Sequence, residues 1–390
     1  MEHQPADTDH RRNDHCHGCG HARNHRNDGR NDSRNNSDHH GQEHRDDSLT
    51  VVLGGAHIDE EQLMSATADI VEVRESRLRA MGSDAHVIIT GGTDTLLAHS
   101  IERIEVLEGH WSRFRGDSDI SDLNRHAGNF RLVAAETALM VGRAVELWRL
   151  TGGAVDPLVL SAVENAGYDR TFADVVDGPR PSIRKPWRLV ACTDIEIRCI
   201  GDEQFVRLPA DSGFDPGGIG KGLAADLIVE ELMNGGAVGA CVNLGGDLRV
   251  AGLAPNGGSW IVAVKHPLRG EPLFTLDIAD GSAATSSTLR RSWTTVRGER
   301  MHHLIDPSTG QPSTTDLVQA TVVAANAWVA EGLAKALLLR GGANPFDLLP
   351  DGIEAATIDR DGVVRTTDGL GSFVGPQTIP ETISLHGGAP

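Results

Sequence analysis

Residues 220–252, GKGLAADLIVEELMNGGAVGACVNLGGDLRVAG, carry a helix signal followed by two strand signals. Apolar residues at helical spacing predict a helix over residues 223–234, which the pair Gly235 and Gly236 ends. Apolar runs at 240–243 and 248–252 predict strands, and the cluster NLGGD between them is typical of a hairpin turn. A helix that runs straight into a hairpin favours a mixed α/β protein.

The same signals recur on both sides of this stretch. Helices are predicted over residues 93–110, 134–151 and 327–340, and strands over 87–90, 260–266, 273–278 and 320–324. Because helices alternate with hairpin-like strands, we predict an α/β fold of the α+β type. Its sheets are expected to be mixed and largely antiparallel, with helices flanking them.

Composition excludes two classes of partner. The chain has 390 residues and a net charge of −19, which argues against nucleic acid because phosphate binding needs a basic surface. No apolar run approaches the ~18 residues that span a bilayer, so we expect no membrane span. The five cysteines are odd in number and scattered, and no secretory signal is visible. These features predict a cytoplasmic protein.

The first 48 residues differ from the rest of the chain. They hold nine of the 18 histidines and almost no large apolar side chain, which predicts a disordered His/Asn/Asp/Arg-rich tail. The string HCHGCGH at 15–21 has metal-ligand types, so weak binding of zinc, nickel or copper by the tail is an alternative to a purely solvated segment. A third reading is that translation starts at Met64. A flexible C-terminal tail is expected over residues 376–390.

A glycine-rich element, FDPGGIGKG at residues 214–222, precedes the helix at 223–234. Exposed backbone N–H groups at a helix start attract anions, and Lys221 adds a positive charge. The element matches neither the Walker loop nor the nicotinamide Gly-x-Gly-x-x-Gly pattern. By itself it predicts a diphosphate cradle or a simple tight turn, with equal weight.

A second chemical string is HHLIDPSTGQP at residues 302–312. Histidine is suited to proton transfer near neutral pH, and the nearby Asp306 is expected either to orient it or to bind a metal.

Read in order, the motifs resemble those of the ApbE-type flavin transferases. The matching strings are AMGS (80–83), WSRF (111–114), SDISDLN (118–124), GAVDP (153–157), GYD (167–169), the element at 215–226, NLGGD (243–247), ATS (284–286) and HLIDPSTG (303–310). They stand in the family's order from about residue 80 to 342, and we therefore expect an ApbE-like FAD-binding domain over residues 64–375.

The resemblance implies an enzyme that takes FAD as its substrate. It transfers the FMN half to a Thr or Ser hydroxyl of a target flavoprotein through a phosphoester bond and releases AMP. Two alternatives stay open: an FAD pyrophosphatase that yields FMN and AMP, and a flavin-binding protein without turnover.

The resemblance also assigns residues. It makes His303 the base and Asp306 its supporting partner, with His302 in a secondary role. The positions expected to contact FAD are Met81, Phe114, Ala154, Val155, Asp156, Asp215, Lys221, Thr285, Ser286 and Leu304.

The implied magnesium site is where this chain departs from the family pattern. The family supplies a backbone oxygen, here that of Gly218, and an Asp and a Thr four residues apart, which here read Glu331 and Lys335. Glu331 can ligate magnesium, but a protonated lysine cannot. Lys335 is expected to pair with Glu331 across one helical turn or to approach a phosphate, which leaves magnesium dependence open. Ser287, where the family has Gly, is a second departure.

Overall fold

The computed structural model describes residues 48–52, 71–177, 187–296, 298–342 and 344–375. The chain divides into two units, Met1–His44 and Arg45–Pro390, and every described residue lies in the second. The predicted tails, including the HCHGCGH string, therefore lie outside the described residues, apart from Ser48.

The strands come mainly in antiparallel hairpins and neighbours. They are β1 Leu49–Val51, β2 Val73–Ala80, β3 Ser83–Thr90, β4 Arg131–Val133, β5 Glu196–Ile200, β6 Glu203–Arg207, β7 Gly239–Leu244, β8 Asp247–Gly252, β9 Trp260–Lys265, β10 Pro272–Ile278, β11 Gly281–Ser287, β12 Ser292–Thr294, β13 Arg300–His302, β14 Ile305–Asp306, β15 Gln311–Pro312, β16 Leu317–Ala324, β17 Glu354–Asp359 and β18 Val364–Thr366.

The helices vary from one and a half to five turns. They are α1 Asp94–Trp111, α2 Asp119–Arg125, α3 Ala135–Leu150, α4 Leu160–Asn165, α5 Phe172–Asp177, α6 Gly220–Asn234 and α7 Ala327–Arg340. Among the described residues, no helix combines the length and the apolar character needed to cross a membrane.

An eight-stranded sheet organises the molecule. Its strand order is β18-β17-β16-β11-β8-β7-β3-β2, and every neighbouring pair is antiparallel. A three-stranded sheet, β1-β9-β10, and a smaller one, β4-β6-β5, complete the larger strand groups. This arrangement confirms the predicted α/β class with largely antiparallel sheets.

The two faces of the large sheet are buried against different layers. Successive residues of a strand point to opposite faces, and in β3 Val87 and Ile89 pack in the cluster that contains the helices α1, α3 and α6. Ile88 joins a second cluster with Trp260 and Leu276 of the three-stranded sheet. The core therefore has three layers: helices, the eight-stranded sheet and the β1-β9-β10 sheet.

Helix α7 covers the other half of the helical face. Its residues Leu333 and Leu337 pack on Ala284 of β11 and Val322 of β16. Because this helix is buried on nearly all sides, its two charged residues Glu331 and Lys335 must be neutralised inside the protein.

Most predicted elements are present within two or three residues of their predicted ends, and α7 has the predicted bounds. Of the 18 strands in the described residues, the sequence predicted six (β3, β7 to β10 and β16) and missed the rest, of which β1 and β2 are two examples. β1 lies before residue 64, where the predicted domain begins, yet it pairs with β9 from Leu49 to Val51. β2 is an edge strand with the sequence VRESRLRA, whose alternating charges give no apolar run.

Candidate functional site

A pocket opens where α6 and α7 meet the ends of strands of the large sheet. We call it the central pocket. It is lined by the glycine turn and α6 (Gly217, Lys221), the β7–β8 turn (Gly245, Asp247), β11 (Thr285, Ser286, Ser287), the segment after β11 (Arg290, Arg291), and by Ser48, His303 and Lys335. Segments far apart in the chain thus meet at one place because the order β11-β8-β7 makes their ends neighbours.

One side of the central pocket is a charge cluster, which we define as Lys221, Asp247, Glu331 and Lys335. The Lys221 ammonium donates to Asp247 and, at 2.8 Å, to Glu331 Oε1. Lys335 Nζ donates to the same Glu331 oxygen at 2.9 Å, which forms the pair expected from their spacing. The backbone N–H of Gly222 donates to Glu331 Oε2 at 2.7 Å. Both carboxylate oxygens of Glu331 are therefore engaged.

Burial and neighbouring charges shift the pKa values of three groups in the charge cluster. Burial alone would raise the pKa of Glu331, but Lys221 and Lys335 lower it to about 2. Burial would lower the pKa of Lys221, yet Asp247 and Glu331 raise it above its ordinary value. Burial raises the pKa of Asp247 above its ordinary value, although the Lys221 ammonium opposes that shift.

Helices α6 and α7 carry three of the four cluster residues, and their backbones approach each other closely at Gly222. A Cβ on Gly222 would lie 2.4 Å from the carbonyl oxygen of Ala327, so only glycine permits this approach of α6 to α7. The Asp226 carboxylate accepts from the N–H groups of Ala327 and Trp328 at 2.8 and 3.0 Å and so caps α7. Burial raises the pKa of Asp226 to about 6.

The residues at the predicted magnesium position do not fit that ion. Magnesium needs oxygen ligands at about 2.1 Å in octahedral geometry, whereas Glu331 already accepts from two ammonium groups and a backbone N–H. Lys335 brings a positive charge to the position where the family pattern has a hydroxyl. Asp226, the nearest other acidic residue on α6, is committed to capping. Within the described ranges, no group of three or more His, Cys, Asp or Glu side chains is arranged to hold a metal.

The opposite side of the pocket carries His303. Its Nδ1 atom is buried and has no hydrogen-bond partner among the described residues. Burial lowers the pKa of His303 well below its ordinary value, and the positive charges of Arg291 and Lys335 lower it further. The imidazole is therefore neutral at pH 7 and can accept a proton.

The two neighbours named with His303 have other contacts. His302 Nε2 lies 2.9 Å from the carbonyl oxygen of Ser313, which holds the ring against the following loop. Asp306 Oδ1 accepts from the N–H and hydroxyl of Ser308 at 2.8 and 2.7 Å. The carboxylate of Asp306 thus stabilises its own turn, and the orienting contact to His303 that the sequence suggested is not among its hydrogen bonds.

Hydroxyl groups of β11 line the floor of the pocket. Thr285 Oγ1 shares a hydrogen bond of 2.8 Å with Thr321 Oγ1, and the N–H of Thr285 donates to Gly246. Ser286 is next to it. The Ser287 hydroxyl donates to the Val318 carbonyl at 2.7 Å, so the residue that departs from the family pattern is tied to β16.

Met81 lies in a hairpin turn that borders the pocket. The β2–β3 turn places Met81 and Gly82 at φ of 50° and 68°, as a two-residue hairpin of right-handed twist requires. Arg291 Nη2 donates to the carbonyl of Gly82 at 3.2 Å and to the hydroxyl of Ser83 at 2.7 Å. Arg291 therefore links the hairpin to the pocket.

The glycine turn is supported from behind by the predicted segment 154–157. Asp215 Oδ1 accepts from the N–H of Gly217 at 2.8 Å, and its own N–H donates to Pro157. Val155 lies directly beneath Gly218, where a Cβ would approach it to 3.3 Å. The Asp156 carboxylate is buried and accepts from the N–H of Leu158 and the thiol of Cys192, so it holds the segment rather than lining the pocket.

An aromatic cluster adjoins this turn. The rings of Phe114 and Tyr168 lie 5.6 Å apart, and the guanidinium of Arg113 stands 4.2 Å from the first ring and 4.6 Å from the second. Arg113 also lies 3.6 Å from Asp215, which connects the cluster to the glycine turn. Phe114 is 40% exposed, so one face of its ring is open to a planar ligand.

The structure thus brings four of the predicted residues into the pocket lining: Lys221, Thr285, Ser286 and His303. Leu304 differs from the prediction, since it is 3% exposed and packs in the cluster between α7 and β16. Sequence reasoning missed Arg290 and Arg291, and it did not assign a role to Asp247. Asp247 stood inside the quoted NLGGD string, whereas nothing local marks the two arginines.

Comparison with known proteins agrees with this geometry. Residues 81–357 match the sequence model of the ApbE family. An FAD:protein FMN transferase of Vibrio cholerae is 28% identical over 289 residues, 73% of this chain and 84% of that protein. Another from Treponema pallidum is 30% identical over 277 residues, 66% of this chain and 75% of that protein.

Solved structures resemble the fold. The ApbE protein of Thermotoga maritima superposes with a TM-score of 0.68 and 23% identity over 77% of this chain and 99% of that one. The apo flavinyl transferase ApbE of Pseudomonas stutzeri gives a TM-score of 0.66 and 24% identity over 79% and 98%. A three-layer α/β fold with a cationic pocket beside a glycine turn defines the class. The chain belongs to the ApbE family.

Proposed function

We propose that this protein is an FAD:protein FMN transferase. It transfers the FMN moiety of FAD to a Thr or Ser hydroxyl of a target flavoprotein and releases AMP. The observation that carries this proposal is the central pocket itself, in which a neutral imidazole with an unpartnered nitrogen shares one space with two ammonium groups.

The ligand's parts match the surfaces around the pocket. The diphosphate of FAD carries negative charge, which Lys221, Lys335 and Arg291 complement. The glycine turn at Gly217 offers the start of α6 to the same anion. A flavin or adenine ring fits the open face of Phe114 beside Tyr168.

The reaction follows from this placement. The acceptor hydroxyl oxygen forms a bond to the phosphorus of the FMN half, and the bond from that phosphorus to the bridging oxygen breaks. AMP leaves with the bridging oxygen, and the hydroxyl proton passes to His303. The cations hold the diphosphate in line and offset the charge that develops on its oxygens. Thr285 and Ser286 are placed to donate hydrogen bonds beside it.

The proposal assigns no step to magnesium, because Glu331 already uses both oxygens for protein donors. It places the reaction in the cytoplasm, and this location is supported by the free thiols of Cys192, Cys199 and Cys241 among the described residues. The partner is a flavoprotein whose FMN site presents a Thr or Ser.

The test uses FAD and a purified FMN-binding domain with one acceptor Thr, compared with the same domain in which that Thr is Val. Intact mass should rise by one FMN on the Thr form only, with one AMP released for each label. Release of FMN and AMP without labelling would identify a pyrophosphatase instead. FAD that stays bound and yields no AMP would identify a flavin-binding protein and overturn the transferase.

A further inference from the structure

Two ammonium groups share one carboxylate oxygen at the bottom of the central pocket. Lys221 and Lys335 both donate to Glu331 Oε1, at 2.8 and 2.9 Å. They come from different helices, α6 and α7, and both line the pocket. Glu331 itself is fully buried and does not line the pocket, whereas Asp247, which accepts from Lys221, does, so a ligand meets two ammonium groups and one carboxylate.

We propose that the Lys335 ammonium substitutes permanently for a divalent cation, so that this protein binds and uses the FAD diphosphate without metal. The identity of the ligand rests on the function proposed above. The substitution itself rests on the contacts of Lys335 in this chain.

The ammonium group of Lys335 has donor capacity that its contact with Glu331 does not use. An ammonium group carries three N–H donors, and within the described part of the chain the hydrogen bond of Lys335 goes to Glu331. Its side chain is only 9% exposed, so solvent does little to satisfy the rest. Donors that line a pocket and lack full solvation favour an anionic oxygen there.

Lys335 and a divalent ion exclude each other beside Glu331. A metal held by Glu331 would lie within about 2.1 Å of an oxygen that already accepts from two ammonium groups. It would have to displace at least one of them inside a buried cluster. The carboxylates of Asp247 and Glu331 keep Lys221 protonated, since they raise its pKa against the opposing effect of burial, and the displaced ammonium would remain charged beside the ion.

The position of the Lys335 ammonium is also held in place by its surroundings. Glu331 is fixed by the N–H of Gly222, and α7 is capped by Asp226. The ammonium therefore stands in place before the ligand arrives, as a bound ion would.

The first experiment needs no variant. FAD affinity, followed by flavin fluorescence, and the single-turnover rate of FMN transfer are measured after metal removal in EDTA and again with magnesium. We expect FAD affinity and transfer rate to agree within about twofold between the two buffers, because no metal joins the complex.

The second experiment changes the cation. Lys335→Thr removes the ammonium, leaves a hydroxyl beside Glu331, and should weaken FAD binding in EDTA by about tenfold or more, with magnesium restoring much of it. Lys335→Met removes the charge without offering an oxygen, and its loss should persist with magnesium. Arg340→Met, a matched charge change at the exposed end of the same helix, should behave as wild type. Thermal unfolding checks that each variant is folded.

Each outcome separates the two proposals. Wild-type FAD binding that requires magnesium overturns the substitution and leaves the transferase intact. Metal-free FAD binding that depends on Lys335, without any transfer to acceptor in either buffer, supports the substitution and overturns the transferase. Absence of FAD binding in both buffers overturns both.

Discussion

The two sides of the central pocket are built on opposite principles. In the charge cluster, each of the four side chains is hydrogen-bonded to an opposite charge, and the contacts lock α6 to α7. Across the pocket, His303 keeps a buried ring nitrogen without a partner among the described residues. A buried polar atom without a partner costs stability, so such an atom is typical of a group that reacts rather than one that holds the fold.

This difference separates the groups that bind and stabilise, which form the charge cluster, from the group that we expect to react, which is His303. Under the proposed function, the cluster holds an anion and contributes to stability, whereas the imidazole takes up a proton. We therefore expect substitutions on one side to affect binding and folding, and those on the other to affect turnover.

The largest effect is expected for His303→Ala. Removal of a general base lowers rates by about 10²–10⁴-fold, while FAD affinity should change little because the cations remain. Single-turnover transfer and FAD titration measure the two quantities separately. His99→Ala, on the exposed surface of α1, is the control and should leave both unchanged.

A companion change, Asp306→Asn, tests whether Asp306 orients the imidazole of His303 or only stabilises its own turn. Asparagine also forms this kind of turn, so transfer should stay near the wild-type rate. A loss as large as that of His303→Ala would mean that Asp306 acts on the imidazole after all, and unchanged transfer in His303→Ala would remove that residue as the base.

On the other side, Glu331→Ala leaves two buried ammonium groups without their shared partner. Breaking a buried ion pair costs about 3–5 kcal/mol, so the free energy of unfolding in denaturant should fall by that amount. The exposed Glu230→Ala on α6 should change it by less than about 0.5 kcal/mol.

A double variant sharpens this result. Replacing Glu331 and Lys335 together by Met leaves Lys221 with Asp247, so stability should recover in part relative to Glu331→Ala. If Glu331→Ala is as stable as wild type, the cluster does not hold the helices together and the contrast between the two sides fails.

The smallest expected effect is a shift along the pH axis. The pKa of free His303 lies well below 6.5 because of burial and of Arg291, so kcat/KM should hold steady as pH falls past 6.5 and decline only below it. The bound diphosphate adds negative charge, which favours the imidazolium, so the acid limb of kcat should lie at higher pH. Profiles of both constants check this, and an acid limb of kcat/KM at or above 6.5 would contradict it.

Local signals predicted much of the fold. The helix over residues 327–340 and the hairpin of β7 and β8 follow from periodicity and glycine placement, and both are confirmed. Strand β2 was not predicted because the charges of Arg74, Arg77 and Arg79 interrupt the apolar pattern. Charges are typical of an edge strand, since they discourage pairing with other chains.

Fewer contacts of the candidate site could be predicted from the sequence. The pairing of Lys335 with Glu331 follows from a spacing of four on one helix, and the structure forms it. Lys221 joins the same oxygen from another helix, which only the tertiary fold determines. The hydrogen bonds of Asp306 to Ser308 were not predicted, and they arise because a carboxylate two residues before a serine readily closes its own turn.

The charge cluster also has a consequence for the order of assembly during synthesis. Lys221 and Glu331 are 110 positions apart, and contacts of such separation form late because a long loop must close first. A chain that has emerged only as far as β8 possesses Lys221 and Asp247 but neither Glu331 nor Lys335. Under the proposed function, we therefore expect a chain that lacks α7 to have an incomplete diphosphate site, and FAD binding to require that α7 has docked.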